Sequence, residues 1–229
     1  MKHLVIIGQV IPEPKSTAAG TRMMQLIGIF SEAGYKISFL TAANNVEFSE
    51  QIDVHPIEIN QESFDDKIKI LDPDIVIFDR YVTEEQFGWR VSEHCPRAVK
   101  ILDTEDLHFL REARHKAFKE KRDFNHNDLI NGVFLREIAS ILRCDLSLII
   151  SEFEYELLTK TFRIDAEILF YLPFLAEEIE KNTTSFQKRQ HFVSIGNFLH
   201  EPNWQTVLKL KQIWKYIRKI LSEAELNIY

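Results

Sequence analysis

Cysteine is scarce in this chain. The two present, Cys95 and Cys144, have neither metal-ligand spacing nor the density of a disulfide framework. A reducing compartment such as the cytoplasm fits them, and both are expected as buried structural thiols. Long apolar runs are also missing, since none approaches the ~20 residues that a membrane span needs. The opening "MKHLVIIGQ" is too short and too poor in small residues for a signal peptide, and reads as a first buried strand. Positive charge is not in excess. The net charge of −7 argues against nucleic acid as a bulk partner. The G-x-G-x-x-G fingerprint is absent too, which argues against a generic dinucleotide-dependent dehydrogenase or reductase. No internal repeat and no low-complexity tract occurs.

What is present is alternation. Apolar residues make up 45% and charged residues 28% of the 229, an ordinary globular balance with enough chain to bury a core. Strand-like runs at 3–8, 36–41, 55–59, 74–79, 98–102, 145–150 and 167–173 are separated by helical patterns. Met23, Leu26, Ile27, Phe30 and Ala33 recur at helical spacing over 21–34, with Gly34 as the stop. Further helices are expected near 63–71, 83–94, 107–122, 128–143 and 152–162. Thr83 with Gln86, and Ser151 with Glu154, have the capping-box pattern. Parallel strands need crossovers, and these helices supply them. The expected fold class is therefore α/β, with a Rossmann-like parallel sheet and helices on both faces.

Composition changes at 176–190, a polar and charged stretch that reads as a linker. After it, "HFVSI" (191–195) is a strand and Gly196 permits a tight turn or close backbone approach. A helix follows from about Asn203 to Leu221, with Val207, Leu210, Ile213, Trp214, Ile217, Ile220 and Leu221 on one stripe. "AELNIY" (224–229) is a second strand. The expected organisation is a Rossmann-like domain over 1–175, a linker over 176–190, and over 191–229 the first β-α-β unit of a second, incomplete Rossmann-like domain. Two strands and a helix leave a sheet face and edges uncovered. A partner chain, or self-association, through the edge at 224–229 would complete them.

Functional groups in such folds gather on loops at the carboxyl ends of strands. The loop 10–22 leads into a helix N-terminus, where free N–H groups favour an anion. Gly20 allows approach and Arg22 adds charge there, though a plain capped surface loop reads equally well. Asp103, Glu105, Asp106 and His108 crowd another strand end. Arg111 lies three residues on, along the same helical face. Here a cleft role competes with Asp106 as a helix cap among solvated neighbours, and with a metal site. Asp79 and Arg80 end the strongest strand and read best as a tie for a loop. Gly196, Asn197 and His200 precede the last helix, where an anion site competes with an ordinary turn and cap. The basic stretch 111–122 reads as a solvated helix face, with contact to an anionic membrane surface as the alternative.

The last segment, "SIGNFLHEPNWQTVLKLKQIWKYIRKILSEAELNIY", resembles the opening of the C-terminal domain of a GT-B-fold glycosyltransferase of the large retaining family 4 (group 1) type. The shared features are Gly196–Asn197, the His200-x-x-Asn203 loop, and Ile213–Trp214, Ile217–Arg218 and Ala224–Glu225–Leu226; Ser222 stands where a proline is common. "STAAGTRMMQLIGIFSEAGYKISFLT" and "DPDIVIFDRYVTEEQFGWRVSEHCPRAVKILDTEDLHFLREAR" are similar to one bacterial branch of that family. The resemblance implies an acceptor-side N-terminal domain and a truncated donor-side domain. It implies transfer from a nucleotide sugar, as substrate, to a glycan, lipid-linked or small-molecule hydroxyl. No cofactor and no catalytic metal are implied, and a cytoplasmic or peripheral-membrane location follows. Asp106 and His108 would be catalytic. Gly20, Arg22, Asp103, Arg111, Gly196, Asn197 and His200 would bind substrate. The donor-contacting segments lie later in the family's C-terminal domain, so this chain alone is expected to turn over little. A non-catalytic carbohydrate-binding or assembly subunit is the alternative.

Overall fold

The computed structural model describes residues 1–12, 17–43, 52–175, 184–198 and 201–229. They form two units, Met1–Leu175 and Ala176–Tyr229. The first runs β1 (His3–Gly8), α1 (Ala18–Glu32), β2 (Lys36–Thr41), β3 (Asp53–Pro56), α2 (Ser63–Leu71), β4 (Ile75–Asp79), α3 (Tyr81–His94), β5 (Val99–Asp103), α4 (His108–Lys119), α5 (Gly132–Arg143), β6 (Leu146–Ile149), α6 (Glu152–Glu156) and β7 (Leu169–Tyr171). All strands pair in parallel, in the order β3-β2-β1-β4-β5-β6-β7. The order reverses between β1 and β4, which makes their carboxyl ends the topological switch point of the sheet.

β1 buries every one of its six residues, as a strand covered on both faces must. Alternate residues feed two cores. On one face Leu4, Ile6, Phe39, Ile77 and Ile101 pack against Met23, Leu26 and Ile27 of α1. On the other, Val5, Ile7, Val76, Phe78 and Leu102 meet Phe64, Phe87, Phe109, Leu110 and Ile141 from the remaining helices. Cys95 and Cys144 are buried, and burial raises the pKa of both thiols. No helix among the described residues is long and apolar enough to cross a membrane.

Several boundaries differ from the sequence reading. α1 begins at Ala18 instead of 21, because Thr17 caps it by accepting a hydrogen bond from the Gly20 N–H at 3.0 Å. Gly20 is therefore inside the helix. Gly34 does end it, at φ +80°. β3 covers 53–56, not 55–59: the Ile57 N–H still bonds Thr41 O, and Ile57 then turns into the core. The capping box at Thr83 does not form. Arg80 turns the chain sharply at φ 72°, α3 starts at Tyr81, and the Thr83 hydroxyl donates back to the Asp79 and Arg80 carbonyls. At α6 half the box forms: Ser151 Oγ accepts from the Glu154 N–H, but the Glu154 side chain is used elsewhere.

At the end of β1, a Cβ on Gly8 would stand 2.7 Å from Phe39 Cζ. That ring is fully buried and cannot retreat. Gly8→Ala is therefore expected to cost about 1–3 kcal/mol through overpacking, read by chemical denaturation.

The second unit holds β8 (Phe192–Ser194), α7 (Glu201–Ile220) and β9 (Leu226–Ile228). β8 and β9 pair in parallel, Phe192 opposite Leu226, as a separate two-stranded sheet. Trp214 of α7 meets Phe192 edge-on at 5.5 Å. No residue of α7 is fully buried, and Ile195 and Tyr229 are 81% and 70% exposed. One helix thus covers one sheet face only in part.

Candidate functional site

The switch point gathers one row of residues. Register places Ile7 opposite Phe78, hence Gly8 beside Asp79, and Asp79 opposite Asp103. By strand alternation all three present the face that carries α1, two residues beyond Ile6, Ile77 and Ile101. Asp79 is 6% exposed and Asp103 is fully buried. Asp79 Oδ2 lies 3.4 Å from where a Gly8 Cβ would stand, an ordinary contact distance, and it is the Phe39 ring at 2.7 Å that requires glycine there.

Arg22 comes down from α1 onto Asp103. Its Nε donates to Oδ1 and Oδ2 at 3.0 and 3.2 Å, and its Nη1 donates to the Leu172 carbonyl at 2.8 Å. At 2% exposed, Arg22 clamps α1 to the ends of β5 and β7. Two polar atoms in this layer have no hydrogen-bond partner, Arg22 Nη2 and Asp79 Oδ1.

Burial drives the electrostatics. It pushes Asp79 up to about 7, with Glu105 and Asp103 adding repulsion and Arg80 opposing. It pushes Asp103 up to about 6, even against the pull of Arg22. An acid whose pKa is higher folded than unfolded holds its proton more tightly when folded. Its stabilising contribution is complete below about pH 4 and is lost as pH rises toward the folded value. The protein is therefore expected to lose stability between about pH 4 and 7. Asp79→Asn should flatten that loss and leave the variant the more stable of the two above pH 7. Urea denaturation at a series of pH values measures both.

Two loops close over the row. Arg80 and Glu105 both have left-handed backbones, at φ 72° and 59°, and Arg80 Nε reaches Glu105 Oε2 at 2.5 Å. The Arg80 N–H donates to the Asp103 carbonyl at 2.9 Å. Strained backbone held in place by surrounding contacts is frequent at functional sites.

The N-terminus of α4 is already occupied. The Leu107 N–H donates to Glu154, and the His108 and Phe109 N–H groups donate to the two oxygens of Glu137, at 3.0–3.1 Å. Asp106 does not cap this helix; it accepts from Arg111 Nη1 at 3.1 Å near the surface. His108 Nδ1 lies 3.1 Å from the Asp106 carbonyl and 3.4 Å from Glu137 Oε1. Both are acceptors, so Nδ1 carries the hydrogen and Nε2 is the nitrogen left to an incoming group. Tyr81 meets the ring edge-on at 5.3 Å.

Of the residues singled out in sequence, Arg22, Asp103, Asp106, His108 and Arg111 come together at the strand ends. The Gly20 N–H is committed to Thr17. Asp79 and Arg80, read as a loop tie, stand beside the strand-end group: Arg80 does tie the loop after β4 to Glu105 in the loop after β5, and Asp79 is buried next to Asp103. Glu137 carried no local signal, and Glu154 was read only as half of a capping box. Of the basic stretch, Arg111 pairs with Asp106, and Arg122 with Glu120 and Asp128. No group of three or more His, Cys, Asp or Glu among the described residues could hold a metal ion.

In the second unit a Cβ on Gly196 would come within 3.1–3.3 Å of the Asn203 side chain. Asn203 Nδ2 donates to the Asn197 carbonyl at 2.8 Å, folding the turn onto the first part of α7. A side chain at residue 196 would push Asn203 back by a few tenths of an ångström. His200 lies outside the described residues. A surface hollow on α7, lined by Lys211, Trp214, Lys215, Arg218, Lys219 and Ser222, is on the helix face and not at the strand ends.

No protein-family model matches the chain, and no curated protein matches it in sequence. Solved structures do match it in fold. The apo form of the lipopolysaccharide outer core galactosyltransferase WaaB has a TM-score of 0.54 at 14% identity, covering 86% of this chain and 52% of that one. Sucrose-phosphate synthase from Thermosynechococcus elongatus has 0.52 at 13%, covering 70% and 45%. UDP-GlcNAc 2-epimerase from Methanocaldococcus jannaschii has 0.51 at 10%, covering 100% and 66%. The chain spans about half the length of the first two. The fold they share with it is the Rossmann-like α/β fold of GT-B glycosyltransferases.

Proposed function

We propose that this chain belongs to a glycosyltransferase of the family 4 type that moves a sugar from a nucleotide sugar to a hydroxyl. Met1–Leu175 would be the acceptor side and residues 191–229 would carry part of the donor side. The observation that supports this most is the pairing of a seven-stranded Rossmann-like unit with a second, separately founded β-α-β unit. A galactosyltransferase and a sucrose-phosphate synthase share the fold, and the epimerase that also shares it is named for a nucleotide sugar.

The division of labour follows from charge. At the strand ends of the first unit Arg22, Arg80 and Arg111 each already hold a carboxylate, and the α4 N-terminus is filled by Glu137 and Glu154. That side suits hydroxyls better than a diphosphate. His108, through Nε2, and Asp106 would contact the reacting sugar or its acceptor. In the second unit, the turn at Gly196–Asn197 beside the start of α7 would meet the diphosphate, where a helix start favours an anion.

A half-covered two-stranded sheet holds the donor weakly. The 229-residue chain incubated with UDP- and GDP-sugars is expected to show at most trace hydrolysis or transfer by mass spectrometry. Robust turnover by this chain alone would contradict the assignment of only part of the donor site to it.

A further inference from the structure

The cations of α7 stand exposed on a helix that has no acid between its two ends. We propose that the outward face of the C-terminal half of α7 docks on an anionic phospholipid bilayer. Lys211, Lys215, Arg218 and Lys219 would meet the lipid phosphates, and Tyr216 and Ile220 would enter the headgroup boundary. The inference goes beyond the sugar-transfer reading and does not depend on it.

Charge carries it first. Between Glu201 and Glu223 the chain has no acidic residue and five basic ones, Lys209, Lys211, Lys215, Arg218 and Lys219, in a protein of net charge −7. All five are exposed, and none forms an ion pair with a described residue. The basic stretch of α4 differs, since Arg111 and Arg122 there already hold carboxylates. Lys211 and Lys215, and Lys215 and Lys219, stand four residues apart, where like charges repel. A layer of anions against them relieves that repulsion. The second observation is apolar exposure. Tyr216 and Ile220, one turn apart, are 69% and 85% exposed, and the Lys219 ammonium lies 5.7 Å from the centre of the Tyr216 ring. A nucleic acid or an acidic peptide would use the cations and leave Ile220 in water, whereas a bilayer surface takes both. The third is placement. Val207, Leu210, Trp214 and Ile217 are half-buried on the sheet side of α7, and by helical spacing Lys215, Tyr216 and Lys219 lie on the opposite side. Strands paired to either edge of β8–β9 would bring their helices to the flanks of α7 and leave that side open. Lys211, Lys215, Arg218 and Ser222 also line the open hollow beside Trp214, which suits a phosphate headgroup.

The test is flotation of the full chain with vesicles of phosphatidylcholine alone and of equal parts phosphatidylcholine and phosphatidylglycerol. The chain should float with the anionic vesicles and not with the neutral ones, and added salt should weaken the binding. Lys215→Gln combined with Lys219→Gln should weaken it about twentyfold, at roughly fivefold for each charge removed. Tyr216→Ser combined with Ile220→Ser should weaken it about tenfold. These four side chains are exposed, so both variants should keep the circular dichroism of the wild type. Lys116→Gln combined with Lys119→Gln removes the same charge from α4 and should leave vesicle binding nearly unchanged. Failure to float with anionic vesicles overturns the proposal. An equal loss in the α4 variant puts the contact on another face and overturns it too. Binding indifferent to Tyr216 and Ile220 makes α7 a general polyanion surface and counts against the bilayer. A dimer in sedimentation velocity that Ile220→Ser disperses, with vesicles ignored, gives the face to a second copy of the chain and likewise overturns the proposal.

Discussion

Arg22→Met is expected to destabilise the protein by about 3–5 kcal/mol at pH 8. Removing one partner of a buried ion pair leaves the other charge uncompensated, and Asp103 is fully buried. Lost with it are the hydrogen bond to the Leu172 carbonyl and the clamp between α1 and the ends of β5 and β7. The size of the loss should depend on pH in a way that a mere packing defect would not. Asp103 already sits at about 6, pushed up by burial against the pull of Arg22. Without the guanidinium its pKa climbs further, so the variant keeps the proton and loses stability over a wider pH range. Wild type and variant should differ least near pH 4.5 and most near pH 8. Adding Asp103→Leu to Arg22→Met should recover more than half of the loss, because the orphaned charge goes with it. Urea melts of the two variants at both pH values measure this. A loss independent of pH would show that packing and not charge dominates.

Glu137→Ala should cost about 3 kcal/mol or more, and its effect should be local. Glu137 is fully buried on α5, and its carboxylate takes the His108 and Phe109 N–H groups. These are charge-assisted bonds at a helix start, each worth more than a neutral one. Their loss leaves two buried donors unpaired. Glu137→Gln, which keeps one acceptor oxygen, should lose about half as much. Hydrogen exchange is expected to quicken at residues 107–112 in Glu137→Ala before the rest of the sheet is affected. Because His108 Nδ1 leans on the same carboxylate, its ring should become more mobile too.

Most of the scaffold was legible because it is written locally. Apolar runs such as "HLVIIG" and "DIVIFD", bounded by turn residues, do form buried strands, and of the α7 stripe Val207, Leu210, Trp214 and Ile217 are half-buried while Ile213, Ile220 and Leu221 are exposed. Gly34 as helix stop and Gly196 as a close-approach residue were readable for the same reason. The site was less so. Arg22 meets Asp103 across 81 residues of chain, and the α4 N-terminus takes its carboxylates from 29 and 47 residues away. No spacing rule reaches that far. Where local rules were applied at the strand ends they failed in particular ways. Thr83 looked like a cap, but the left-handed turn at Arg80 started α3 early. Asp79 and Arg80 looked like a loop tie, and Arg80 is one; the burial and register that set Asp79 apart are properties of the assembled sheet.

The central claim is a division of labour, with hydroxyls at the strand ends of the first unit and phosphates at the turn before α7. It is tested most directly by mapping backbone amide shifts of the full chain on titration with UDP and GDP. The account predicts shifts at Gly196, Asn197, Asn203 and the first turn of α7, with Gly8, Arg80 and Glu105 unmoved. Nucleotide-dependent shifts at Gly8, Arg80 and Glu105, with the α7 turn silent, would contradict it.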